Sequence, residues 1–211
     1  MHVPASSVRR SPGPTRVAAP AYILCCLLLL TASLPAFAQY LGAPLAQDPD
    51  PGVDHTELAA QVAPELRRTA VYYRTEYPQG TIIVNTADRF LYLIMANNVA
   101  LRYGIGVGRT GFQWGGSHVI TRKAEWPDWR PPPEMITRQP YLPRFMAGGP
   151  GNPMGARALY IGTTEYRIHG TNAPETIGQA VSSGCFRLVN DDVIDLYGRV
   201  PVGTKVIVQH Q

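Results

Sequence analysis

The sequence predicts a mostly β domain with one late helix and one long irregular segment. Between residues 80 and 209, short runs of β-branched and aromatic residues alternate with turn-forming residues. The chain has 211 residues, of which 45% are hydrophobic and 16% are charged. This composition is too apolar for a disordered chain and too poor in charge for a coiled coil. The length allows one domain with a sizeable core.

The first 38 residues have the order of a secretory signal peptide. Three arginines precede an apolar run over residues 21–34, and the triplet Ala36-Phe37-Ala38 supplies the small residues of a cleavage site. We therefore expect cleavage after Ala38 and export. The alternative is an uncleaved membrane anchor, although the apolar run of about 14 residues is shorter than the roughly 20 that a membrane span needs.

Removing this leader changes the net charge and the cysteine count, and so changes what each of them indicates. The formal net charge is +4, but without the three leader arginines the 19 basic residues fall to 16, against 15 acidic ones. This balance, without a basic tract, does not indicate a nucleic-acid partner. Two of the three cysteines lie in the leader, so the mature chain keeps Cys185. A lone thiol in an oxidising compartment is either buried and inert or kept for its reactivity.

Local patterns predict the elements of the mature chain. Residues 39–79 are expected to form a linker and a short helical lead-in, in which Leu58, Val62 and Leu66 recur at helical spacing, and residues 80–210 to form the domain. Strands are predicted at 81–86, 90–95, 99–107, 119–123, 157–161, 166–169 and 205–209. A helix is predicted to begin at Asn190, which we interpret as its N-cap.

A proline- and glycine-rich segment over residues 126–155 carries no regular pattern. Irregular stretches of this length inside a compact domain are usually functional. We expect this segment to form a lid or one wall of a cleft.

Two short motifs carry the candidate chemistry, Arg-Ile-His-Gly-Thr at residues 167–171 and Ser-Ser-Gly-Cys-Phe-Arg-Leu at residues 182–188. His169 ends a predicted strand and Cys185 begins another, so a sheet can place both side chains at one edge. An imidazole beside a thiol lowers the thiol pKa or takes its proton, which activates the thiol as a nucleophile. The alternative is a cysteine that acts only as a small buried hydrophobe.

Neighbouring residues suggest supporting roles. Gly184 leaves backbone amides near the cysteine free to face an oxyanion. Arg187 lies two positions after Cys185, on the same face of a strand, where it would stabilise a thiolate or hold a substrate carboxylate; a structural ion pair is the alternative. His118 is either a surface residue or part of a cleft wall. A metal site built from His118, His169 and Cys185 has no ligand spacing to support it.

The order His-Gly-Thr, a gap, Ser-Ser-Gly-Cys-Phe-Arg-Leu and then Asn-Asp resembles the catalytic signature of the L,D-transpeptidases, also called YkuD-domain or ErfK/YbiS-type proteins. The similarity extends on both sides and covers residues 80–209. It implies a β-sandwich with a short helix after the catalytic cysteine and a long cleft-wall loop. It also implies that Cys185 is the nucleophile and His169 the general base and acid, with the Gly170 carbonyl orienting the imidazole and Arg187 organising the site.

The resemblance further implies that backbone amides around Gly184 and Cys185 form an oxyanion hole. Many members carry histidine where this chain has Ser183, so the role of that side chain stays open. The implied reaction is attack of the Cys185 thiolate on the third-residue carbonyl of a peptidoglycan tetrapeptide stem, with release of D-Ala and transfer to an amine. That amine belongs to another stem in a 3→3 cross-link, to an outer-membrane protein or to a free D-amino acid.

The same resemblance implies a protein of the periplasm that is associated with the cell wall, needs no metal or organic cofactor and is acylated by carbapenems. Two other classes stay open: a sortase-like cysteine transpeptidase and a non-catalytic peptidoglycan-binding module. In sortase-like enzymes the arginine follows the cysteine by several residues, whereas Arg187 follows Cys185 by two. A binding module would be expected to lack the thiol or its base.

Overall fold

The computed structural model describes residues 62–210, and its regular elements are mostly strands. The strands are β1 (Thr69–Tyr72), β2 (Ile82–Asn85), β3 (Phe90–Ile94), β4 (Val99–Gly104), β5 (Val107–Gly108), β6 (Gly116–Glu125), β7 (Arg157–Ile161), β8 (Arg167–His169), β9 (Ala180–Ser182), β10 (Phe186–Arg187) and β11 (Lys205–Gln209). The helices are α1 (Pro133–Arg138) and α2 (Asn190–Arg199), with 3-10 turns at Pro64–Leu66 and Pro174–Thr176.

The predicted signal peptide, the linker and the first part of the helical lead-in lie outside the described residues. Within residues 62–210, no helix is long and apolar enough to cross a bilayer. The end of the lead-in packs on the domain, because Val62 and Leu66 form a small apolar cluster with Ile177 and Val189.

Nine strands form one sheet in the order β1-β4-β3-β2-β11-β6-β7-β8-β10, and β5 pairs with β9 in a two-stranded sheet. β2, β3 and β4 form two antiparallel hairpins, in agreement with the strands predicted at 81–86, 90–95 and 99–107. In the second turn, Asn97 and Asn98 both have positive φ, at 59° and 57°. Asparagine tolerates this conformation better than most residues, and tight hairpins require it.

The large sheet curls until its two ends approach each other. Gly106, just after β4, and Arg187 in β10 form an antiparallel bridge through two N–H···O bonds of 2.9 Å. Because β4 and β10 lie near opposite ends of the strand order, the two halves of the sheet enclose the main core. The Tyr103 hydroxyl donates to Asp195 of α2 at 2.7 Å and anchors this helix. The mostly β sandwich with a short helix after Cys185 is therefore confirmed.

The sequence pattern does not predict β1 or α1. β1 pairs with β4, so part of the region predicted as linker and lead-in is an edge strand of the sheet. α1 lies inside the long segment that carries no regular pattern. Neither element has a fully buried residue. Short elements without a buried face leave no hydrophobic period in the sequence.

The prediction that Asn190 is an N-cap is wrong. Val189 occupies the cap position without a side-chain cap bond, and Asn190 is the first residue of α2. The Asn190 side chain is buried, and its Oδ1 accepts the backbone N–H groups of Ala156 at 3.0 Å and Thr171 at 3.3 Å. Buried N–H groups need acceptors, so this amide ties the chain before β7 and the chain after β8 to α2.

Candidate active site

β8 and β10 are parallel neighbours, and their register places the candidate residues on one face. Arg187 lies opposite His169, and Phe186 lies opposite Ile168. Phe186 and Ile168 belong to the main core. Since side chains alternate along a strand, His169 and Arg187 point to the other face. Continuing the register by one residue pair brings Cys185 beside Arg167 on that same face. The predicted shared face of Cys185 and Arg187 is thus consistent with the strand pairing.

A cavity of about 300 Å³ opens on this face and is lined by Cys185, His169, Ser183 and Arg187. The long segment over residues 126–155 supplies much of the opposite wall, which includes Trp129, Pro132, Met135, Leu142 and Met154. The prediction that this segment forms a cleft wall is confirmed.

His169 is held as a neutral imidazole. It is buried, and its Nδ1 lies 2.6 Å from the Gly170 carbonyl oxygen, the contact that the family resemblance implies. A carbonyl only accepts, so Nδ1 carries the proton and Nε2 is the basic nitrogen. Burial, with the nearby charges of Arg187 and Arg167, lowers the pKa of His169 to about 3, although backbone hydrogen bonds at Gly170 and Met154 act in the opposite direction.

Cys185 is half-buried, and its thiol is the protonated form at rest. Burial raises the pKa of Cys185, while the charges of Arg167 and Arg187 and hydrogen bonds from Arg167 lower it. Because the His169 pKa is also lowered, the free protein holds a neutral thiol and a neutral imidazole rather than an ion pair. Arg167 is a site residue for which the sequence analysis assigned no role. Its signal is its position two residues before His169 on the same strand.

The turn before Cys185 is fixed by Ser182. The Ser182 hydroxyl donates to the Cys185 carbonyl at 2.6 Å and accepts the Gly184 N–H at 3.1 Å. The Gly184 amide is therefore engaged within the turn, which removes one of the two amides expected to form an oxyanion hole. The N–H of Cys185 is the remaining one of that pair.

Trp114 also fixes the position of Gly184. Its Nε1 donates to the Gly184 carbonyl at 2.7 Å, and its ring stacks on Tyr166 at 4.5 Å between centroids and on Phe186 at 5.2 Å. Gly184 has φ of +111°, and a Cβ there would clash with Cε1 of Tyr166. Glycine is therefore required before the cysteine. Sequence reasoning missed Trp114, because it lies in a loop 70 positions from Gly184.

His118 does not line the cavity that contains Cys185. Its ring meets the edge of Trp114 at 5.2 Å, and its Nε2 lies 3.3 Å from the Gly115 carbonyl oxygen. Of the two alternatives for His118, a surface residue or part of a cleft wall, this placement against Trp114 favours the first. Within residues 62–210, no group of three or more His, Cys, Asp or Glu side chains is placed to hold a metal ion.

Comparisons with known proteins point to one family. The family profile YkuD, the L,D-transpeptidase catalytic domain, matches residues 79–208. The probable L,D-transpeptidase ErfK/SrfK of Escherichia coli K12 is 46% identical over 132 residues, which cover 59% of this chain and 42% of that protein. The putative L,D-transpeptidase YqjB of Bacillus subtilis 168 is 36% identical over 133 residues, which cover 60% of this chain and 69% of that protein.

A solved structure supports the fold. The crystal structure of L,D-transpeptidase 3 from Mycobacterium tuberculosis aligns with a TM-score of 0.51 and 16% identity, covering 63% of this chain and 62% of that one. The similarity to ErfK/SrfK covers 42% of that protein, so this chain matches less than half of that relative's length.

Proposed function

The chain belongs to the L,D-transpeptidase (YkuD) family, and on this premise we propose that it is a cysteine-dependent peptidoglycan L,D-transpeptidase. One observation carries the proposal. His169 and Cys185 lie on the same face of adjacent parallel strands, and both line one cavity. Arginines and the long segment over residues 126–155 line the rest of that cavity. A nucleophile, a base and cationic groups around one cavity are the parts that acyl transfer from a carboxylate-bearing peptide needs.

Acylation begins from the neutral pair. Nε2 of His169 takes the thiol proton as Sγ of Cys185 attacks the third-residue carbonyl carbon of a tetrapeptide stem. The S–C bond forms, the C=O electrons move to oxygen, and the Cys185 N–H donates to the oxyanion. Arg167 and Arg187 favour the negative sulfur while the proton moves, because their charges lower the thiol pKa.

Collapse of this intermediate releases D-Ala. The oxyanion electrons re-form the C=O bond, the C–N bond breaks, and the imidazolium of His169 gives its proton to the departing amine. A buried imidazolium with so low a pKa in the free protein is a strong acid, which favours this transfer. The product is a thioester between Cys185 and the shortened stem.

Transfer to an acceptor regenerates the protein. The amine attacks the thioester carbonyl, Nε2 of His169 removes the amine proton, and the released thiolate of Cys185 recovers a proton from the imidazolium. When the amine is the side chain of another stem's diamino acid, the product is a 3→3 cross-link. An outer-membrane protein or a free D-amino acid would give anchoring or exchange by the same step.

The location and the inhibitor class follow from the same proposal. The predicted signal peptide delivers the protein to the periplasm, where the cell wall is the substrate. A carbapenem presents a strained amide carbonyl in place of the stem carbonyl, so it would acylate Cys185. The thiol and the neutral base that we assign are sufficient for that reaction.

Purified tetrapeptide muropeptides test the proposal directly. The protein should release D-Ala and form dimers that mass spectrometry identifies as 3→3 cross-linked, and Cys185→Ala should do neither. Ser182→Ala serves as a comparison that keeps the thiol but removes the hydroxyl of the turn; it should retain a reduced rate. Turnover that survives in Cys185→Ala, or a folded wild-type protein that releases no D-Ala, would contradict the proposal.

A further inference from the structure

Two arginines of the Cys185 cavity share one aromatic ring. The guanidinium carbon of Arg109 lies 4.3 Å from the Phe112 ring centroid, and that of Arg138 lies 4.8 Å from the same centroid. Both side chains line the cavity, whereas Phe112 is not among its lining residues. The two guanidinium carbons are therefore less than about 10 Å apart, and both side chains belong to the cavity that contains Cys185.

The two arginines come from two separate parts of the chain that both line the cavity. Arg109 follows β5, and its N–H donates to the Ser182 carbonyl at 3.0 Å, which ties it to the turn before Cys185. Phe112 belongs to the same loop, because its N–H donates to the Arg109 carbonyl at 2.9 Å. Arg138 ends α1 in the cleft-wall segment. Arg109 is thus tied to the turn before Cys185, and Arg138 belongs to the cleft-wall segment.

Neither arginine has an acidic partner among residues 62–210. The described ion pairs of the domain use Arg68, Arg157 and Arg199 instead. Glu165 is the one acidic residue that lines the cavity, against four arginines. Two guanidiniums held close together repel each other. A carboxylate between them would relieve that repulsion through charge-assisted hydrogen bonds.

We propose that Arg109 and Arg138 form a carboxylate subsite that recognises a free internal carboxylate of the donor peptide and so sets donor specificity. Arg167 and Arg187 stand next to the thiol, so the Arg109–Arg138 pair takes a carboxylate farther from the reacting carbonyl. The inference rests on the proposed function for the identity of the donor, but the subsite itself is a binding property that does not depend on turnover.

A cycle of variants and peptides tests the subsite. One donor tetrapeptide carries its internal carboxylates free, and the other carries them as primary amides. For the wild type, kcat/KM of D-Ala release should be roughly tenfold or more higher with the free acid. The double variant Arg109→Gln with Arg138→Gln should lose that preference, because its kcat/KM should fall for the free acid and stay the same for the amide. Arg144→Gln is the matched control, since this exposed arginine of the same segment does not line the cavity.

Binding to Cys185→Ala, measured by calorimetry, separates the subsite from the function. The subsite is supported if the free acid binds more tightly than the amide and if adding Arg109→Gln and Arg138→Gln to Cys185→Ala removes that difference. This holds even if the wild type turns over neither peptide, and in that case only the proposed function fails. Three results would each overturn the subsite: an equal loss of kcat/KM on both peptides, an unchanged preference for the free acid in the double variant, or no binding of the free acid. If the wild type still turns over the peptides in those cases, the proposed function stands.

Discussion

Replacing His169 with glutamine should remove a large part of the protein's sensitivity to acid. Burial, together with the charges of Arg187 and Arg167, lowers the pKa of His169 from 6.5 to about 3. The unfolded chain therefore binds a proton at a pH where the folded protein does not. As a result, this group leaves the free energy of unfolding unchanged above about pH 6.5 and decreases it as the pH falls towards 3.

The size of the effect follows from the two pKa values. Proton linkage gives a loss of about 2 kcal/mol between pH 7 and pH 5, and of about 3 kcal/mol by pH 4. In His169→Gln the amide gains no proton, so this part of the pH dependence disappears, while the contributions of other groups remain in both proteins.

Urea unfolding, followed by tryptophan fluorescence between pH 7 and pH 4, measures this difference. The stability of His169→Gln relative to the wild type should rise by about 2 kcal/mol from pH 7 to pH 5. Parallel curves for His169→Gln and the wild type would refute the assignment of a neutral, buried imidazole.

Three further variants probe the surroundings of Cys185 and the helix behind it. Trp114→Phe keeps an aromatic ring against Tyr166 but loses the hydrogen bond to Gly184, so carbapenem acylation should slow about tenfold; an unchanged stopped-flow rate would show that the bond does not position the turn. Gly184→Ala should lower the free energy of unfolding by more than about 2 kcal/mol, because its Cβ would meet Tyr166; thermal unfolding measures this, and a wild-type melting temperature would contradict it. Burial raises the pKa of Asp192 to about 7, so the folded protein holds a proton that the unfolded chain releases. The wild type should therefore lose about 2 to 3 kcal/mol relative to Asp192→Asn as the pH rises from 5 to 8, and denaturation curves that stay parallel over this range would refute that assignment.

The elements that the sequence predicts correctly are those with a strong local signal. β2, β3 and β4 combine β-branched residues with asparagine-rich turns, and β8 ends at His169 as its pattern predicts. β1 and α1 are short and bury no residue completely, so they leave no period to detect. Asn190 shows a different limit. Its residue type suits a helix cap, but its Oδ1 instead accepts the backbone N–H groups of Ala156 and Thr171.

The candidate site divides in the same way. His169 and Cys185 are identifiable because their motifs state the residue types and the order that thiol chemistry requires. Trp114 and the pair of Arg109 and Arg138 are not, because their roles depend on contacts between distant parts of the chain. The resemblance implies an oxyanion hole from amides around Gly184 and Cys185, and it cannot show that the Ser182 hydroxyl accepts the Gly184 N–H.

The intact mass of the protein after incubation with meropenem shows whether Cys185 is the nucleophile of an L,D-transpeptidase. We expect one covalent adduct on the wild-type protein, mapped by digestion to the peptide that contains Cys185, and none on Cys185→Ala. A folded wild-type protein that takes up no adduct, or an adduct that persists in Cys185→Ala, would contradict that assignment.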